Sequence, residues 1–297
     1  SGSDEAPRML GAFNEETPDW LSFFMFTYFT DRDGKMQLES LAQSGFDPLS
    51  RTCRFMLTEE AHHMFVGETG VGRTIQATAE AMNKAGITDP YDINAIRDLG
   101  VIDLPTIQKK LNLHYSLSLD LFGQELSTNA ANYYTQSLKG RFHEENIDDH
   151  HTLVDATYPV HMLQGDKIVE EDHSALTAIN EKLRQDYIDD CQRGLNRWNK
   201  VIEKHGYDFR FELPHRGFHR AIGNFAEVRV SPDGRVISEA EWTNNLADWL
   251  PTSSDRDFVT TVMKPCYEQG KIAGWIAPPT RGIHGNPFDY EYVKFNS

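Results

Sequence analysis

The stretch that decides the fold is Cys53-Arg54-Phe55-Met56-Leu57-Thr58-Glu59-Glu60-Ala61-His62-His63-Met64-Phe65-Val66-Gly67. It lies inside a helix expected from about Pro48 to Glu68. Leu49, Cys53, Met56, Leu57, Met64 and Gly67 recur at intervals of three and four, which marks the face expected to be buried. Glu60 and His63 fall on that same stripe. A carboxylate and an imidazole three residues apart on one helix project side by side, as in the Glu-x-x-His element with which helical bundles hold iron or manganese. Glu59 and His62 repeat the spacing on a weaker stripe with Phe55 and Val66. Periodicity favours Glu60 and His63 and leaves the other pair open.

Upstream, Thr17-Pro18-Asp19 reads as a helix start, with Thr17 as N-cap and Pro18 in the first turn, where its missing N–H costs nothing. The run from Trp20 to Phe29 is apolar nearly all round, so its helix is central. That helix is expected to continue through Asp31 to about Gln43, with Gly34 as a weak point. Asp31 precedes Glu60 by 29 residues, a gap that suits two antiparallel helices joined around Gly45-Phe46-Asp47-Pro48. A buried carboxylate needs a counter-charge or a metal. The plainer alternatives for Asp31 are a helix-end residue in water, or an ion pair with Arg32 or Lys35. Oxygen and imidazole donors without thiolates suit iron or manganese better than structural zinc. A complete bundle site needs a second carboxylate and a second Glu-x-x-His. Glu170/His173 at the start of a later helix, Glu212/His215 interrupted by Pro214, and Asp148/His151 in an acidic, His-rich stretch do not supply it convincingly.

A third helical region is expected over about Thr106–Leu138 and a fourth over about Glu171–Lys204, ended by His205-Gly206. Ser231-Pro232-Asp233-Gly234 between Phe225–Val230 and Arg235–Ser238 reads as a hairpin, followed by two short helical stretches and a Pro/Gly-rich tail over 278–287. The fold class is mainly α: a loose segment over 1–16, a helical bundle over 17–205, and a small α+β extension over 206–297. The 297 residues carry 45 acidic and 29 basic side chains, a formal charge of −16 that opposes a general nucleic-acid role. The longest apolar run is too short to span a bilayer. Three scattered cysteines give neither a zinc ribbon nor a disulfide framework, and fit reduced thiols in the cytoplasm. The chain opens Ser1-Gly2-Ser3, as a cleaved product, a tag remnant or a piece of something longer.

Several long runs resemble the oxygenase component of benzoyl-CoA 2,3-epoxidases. They are Ala12–Phe26 (AFNEETPDWLSFFMF), Thr30–Lys35 (TDRDGK), Phe55–His63 (FMLTEEAHH), Asp189–Gly194 (DDCQRG), Leu213–Arg220 (LPHRGFHR) and Ala277-Pro278-Pro279. The resemblance implies a ferritin-like bundle with a di-iron centre that epoxidises the ring of benzoyl-CoA with O2 during aerobic benzoate degradation. It also implies a separate reductase that uses NADPH and carries FAD and iron–sulfur clusters. The family's Asp and Glu-x-x-His for one iron match Asp31, Glu60 and His63, with Glu60 also catalytic. Ligands of the other iron lie upstream of the segment matching Ser1. The chain is therefore expected to be a fragment or a degenerate relative. Phe23, Phe24, Phe26, Tyr28 and Phe29 are either walls of a dry pocket or plain core. His215, Arg216, His219 and Arg220 either recognise the phosphates of coenzyme A or pair with nearby acids. Another ferritin-like di-iron hydroxylase, or a non-enzymatic helical scaffold, remains the competing reading.

Overall fold

A computed structural model describes residues 10–140, 156–267 and 272–280. The protein is mostly helical: α1 Trp20–Leu41, α2 Asp47–Ala85, α3 Ile93–Asp98, α4 Leu104–Leu119, α5 Thr128–Thr135, α6 Ile179–Lys204, α7 Glu239–Trp249 and α8 Ser253–Val262. Two antiparallel hairpins join them, β1 Thr157–Gln164 with β2 Lys167–Ser174, and β3 Arg229–Val230 with β4 Val236–Ile237.

Helix α1 is the axis of the molecule. Its N-cap is Asp19, not Thr17: the Asp19 carboxylate accepts from the Ser22 N–H at 2.7 Å. The reason is a buried partner that local sequence does not show. Lys110 of α4 donates to Asp19 at 2.9 Å and to Ser22 Oγ at 2.6 Å, which fixes Asp19 at the cap. Further along, Thr30 meets Ser118, so α4 runs beside α1 in the same direction. On another side, Tyr28 donates to the Cys191 carbonyl and Arg32 binds Asp190, so α6 runs the opposite way. Leu21, Met25, Tyr28 and Phe29 are fully buried among residues of α2, α4 and α6. Of the aromatic residues with two readings, Phe24, Tyr28 and Phe29 are core, Phe26 is half-buried and Phe23 is exposed.

Helix α2 is much longer than expected, running on past Glu68 to Ala85. Gly67 and Gly70 do not break it. They are where α1 approaches most closely: a Cβ at Gly67 would lie 2.6 Å from the Tyr28 nitrogen and 2.7 Å from the Phe24 carbonyl, and one at Gly70 would enter the Phe24 ring. The helix stops instead at Gly86, which takes the left-handed conformation (φ +73°) that glycine adopts without strain.

Two other expectations are corrected. The third helical region is broken into α4 and α5 around Gly123, whose φ is +77°. The fourth begins only at Ile179, because Glu171 and its neighbours form β2, with Gly165-Asp166 as the two-residue turn. Glu170 and His173 therefore lie on a strand. The Ser231–Gly234 hairpin and the two short helices after it are present. Phe211, Val259, Met263 and Trp275 join the same apolar cluster as α1, α2, α4 and α6, so the main core draws on both sides of the expected boundary at residue 205. Among the described residues no helix is long and apolar enough to cross a membrane. Asp148 and His151 lie outside the described residues.

Candidate metal centre

The close approach at Gly67 and Gly70 sets the register of α1 against α2. Continuing outward from it, α1 rises through Asp31 to Gly34 while α2 descends through His63 to Glu60. One ligand atom each from Asp31, Glu60 and His63 then lies within 4.8 Å of the other two. The structure brings together the three residues singled out as donors. His63 Nδ1 stands 3.5 Å from Asp31 Oδ2, wider than a good hydrogen bond. Glu59 and His62 are exposed and do not join this group.

Three features favour a cation over an internal salt bridge. Arg32 and Lys35, the local candidates for pairing with Asp31, go elsewhere: Arg32 to Asp190 at 2.7 Å and to Glu68 at 3.5 Å, and Lys35 to Asp190 at 3.9 Å. Glu60 Oε2 is buried without a hydrogen-bond partner. Burial together with the neighbouring Glu60 charge pushes the Asp31 carboxyl up to about 6, against a smaller pull from His63. Burial also raises Glu60, again opposed by His63. Two crowded carboxylates facing one imidazole carry more negative charge than they can neutralise, which suits a hard, oxygen-preferring cation.

The stripe expected to be buried is only partly so. Cys53 and Gly67 are buried, Leu49, Leu57 and Met64 half-buried, and Met56 exposed. Phe55 and Phe65 are 72% and 66% exposed, large apolar side chains flanking the donors along the same helix. The His63 side chain is itself 49% exposed.

Asp33 escaped the sequence reading. It is buried, and burial pushes it up to about 7, opposed first by a hydrogen bond from Gln37 and then by Lys139. Its signal was the spacing Phe29, Asp33, Met36, Ser40, all of them buried.

The basic loop has a different character. Arg220 is fully buried and binds Asp120 at 2.5 Å and Glu125 at 3.4 Å. Arg216 binds Glu181 at 2.6 Å and also Gln185. Arg184 completes the group, pairing with Glu181 and lying 3.6 Å from Glu125. His219 stacks flat on Trp242 with ring centroids 6.0 Å apart and reaches Ser116 Oγ at 3.3 Å. His215 Nδ1 accepts from the Gly217 N–H at 3.0 Å, and burial pushes the ring down to about 4. These contacts support pairing with local acids, since the guanidinium groups already face carboxylates.

Fold and cluster define a class: a mainly helical protein that gathers two carboxylates and one imidazole across an antiparallel helix pair. No family model matches the chain. It is 60% identical over 296 residues to benzoyl-CoA oxygenase component B of Aromatoleum evansii, an alignment covering 100% of this chain and 62% of that protein. The chain thus spans less than two thirds of that relative's length.

Proposed function

We propose that this chain is part of the oxygenase component of a benzoyl-CoA epoxidase, and that Asp31, Glu60 and His63 hold one iron of a di-iron centre in a ferritin-like bundle. The observation that carries the reading is the convergence of these three donors in a chain 60% identical to a protein named as component B of a benzoyl-CoA oxygenase. In the overall reaction benzoyl-CoA, O2, NADPH and a proton give the ring epoxide, water and NADP+. A separate FAD and iron–sulfur reductase passes on the electrons, in the cytoplasm.

Bound iron would supply the redox chemistry with O2. The residues of the chain do the holding. Asp31 and Glu60 offer anionic oxygens whose buried charge a cation would relieve, and His63 offers a nitrogen. Gly67 and Gly70 fix the helix separation that brings the donors together. The ion pairs of Arg32 with Glu68 and Asp190 tie α1 to α2 and α6 behind the cluster.

Expressed from its complete reading frame, the protein is expected to copurify with iron. With reductase, NADPH and O2 it should add one oxygen atom to benzoyl-CoA, detected by mass spectrometry. Iron-free protein, or iron-loaded protein that leaves benzoyl-CoA unchanged, would overturn the proposal.

A further inference from the structure

Five glycines lie inside the long helices α1, α2 and α6: Gly34, Gly67, Gly70, Gly72 and Gly194. Glycine is the costliest non-proline residue in a helix interior, so each calls for a reason. Three have one in packing. A Cβ at Gly67 would strike the α1 backbone, at Gly70 the Phe24 ring, and at Gly194 the Tyr28 hydroxyl; at Gly72 it would only touch the apolar edge of the Trp198 ring, at 3.4 Å.

Gly34 differs. Its φ is ordinary for a helix, and a Cβ there would meet the Glu60 carboxylate first, at 3.6 Å from Oε1 and 3.7 Å from Cδ and Oε2, which is normal van der Waals contact. Alanine would fit. It would also improve the helix, so packing does not explain the glycine.

What alanine would change is the space beside Glu60. That carboxylate has one oxygen buried without a partner, and a methyl group on α1 would remove the room into which it can turn. A carboxylate that binds a cation through one oxygen or through both must rotate between the two arrangements, and a wall at normal contact distance restricts that rotation. We infer that Gly34 is a positioning residue, kept at a cost in helix stability so that the Glu60 carboxylate can turn to meet a divalent cation shared with Asp31 and His63. This deepens the proposed metal centre and rests on it.

The test is Gly34→Ala, with two readouts expected to move in opposite directions. Thermal unfolding of the metal-free chain should rise by roughly 2–4 °C, since alanine replaces an interior helical glycine. Affinity for Co(II), followed by its visible absorption during titration, should fall by about 10-fold or more, the scale seen when groups supporting a metal ligand are altered. Gly34→Ser, which places a hydroxyl at the same point, should also weaken binding. If Gly34→Ala binds Co(II) as tightly as the wild type, the inference fails while the metal centre stands. If it lowers the unfolding temperature, the glycine has a packing role and the inference also fails. If the wild type binds no Co(II), the centre itself is wrong and the inference falls with it.

Discussion

Two regions of this molecule concentrate titratable side chains, and they treat charge in opposite ways. In the basic loop and the helices beneath it, Arg184, Arg216 and Arg220 face Asp120, Glu125 and Glu181, three positive groups against three negative ones. Between α1 and α2, Asp31 and Glu60 face His63 alone among the described residues, with one Glu60 oxygen lacking a hydrogen-bond partner there. The first cluster balances its charges within the chain, although Glu125 Oε1 and Arg184 Nε make no hydrogen bond among the described residues. The second is short of positive charge. Buried charge must be balanced somewhere, so the excess of donors is the physical signature that separates a ligand site from a structural network.

The largest effect that can break this comparison lies in the balanced cluster. Arg220→Leu leaves Asp120 and Glu125 buried without their main counter-charge, and should cost about 3–5 kcal/mol in stability. Denaturant unfolding measures it. An unchanged midpoint would show that the loop is not a structural lock.

A smaller effect is pH dependence, and it too belongs to the half around the basic loop and α4. Burial holds His114 down to about 3 and His215 down to about 4, below an unfolded value of 6.5. Above pH 6.5 both are neutral in either state, and their contribution is complete. Below it the unfolded chain takes up protons that the folded chain refuses, so stability is lost as pH falls from 6.5 towards 4, by on the order of 2–3 kcal/mol per histidine. His215→Asn should flatten this slope by about one proton. A slope identical to wild type would mean that His215 is protonated in the fold.

The smallest effect is the sharpest contrast. Glu60→Gln removes a charge that the metal-free fold does not want, so stability at neutral pH should hold or rise slightly, within about 1 kcal/mol. A clear loss of stability would place Glu60 with the structural pairs.

How much of this was legible depended on how local each cause is. The start of α2 and the Glu60/His63 pair follow from spacings of three and four residues, which a sequence displays directly. Asp31 needed only one more step, an antiparallel return across a short turn. The far half of α2 was hidden because Gly67 and Gly70 look like stops. They are demanded by Phe24 and Tyr28, some 40 residues earlier. The β1–β2 hairpin was misread because Glu170, Glu171 and Asp172 suggest a solvated helix, although Gly165-Asp166 at φ +64° was an available turn signal. The partners of Arg220 lie about 100 residues away, and no local pattern reports them.

The claim at the centre is that Asp31, Glu60 and His63 are metal donors, and His63 isolates it best because an exposed neighbour of the same type serves as its control. Anaerobic calorimetric titration of Fe(II) into the wild type, His63→Ala and His62→Ala decides the matter, with circular dichroism confirming that all three keep their helices. The account predicts binding by the wild type and by His62→Ala, and loss of that binding in His63→Ala. Equal Fe(II) binding by all three proteins would contradict it.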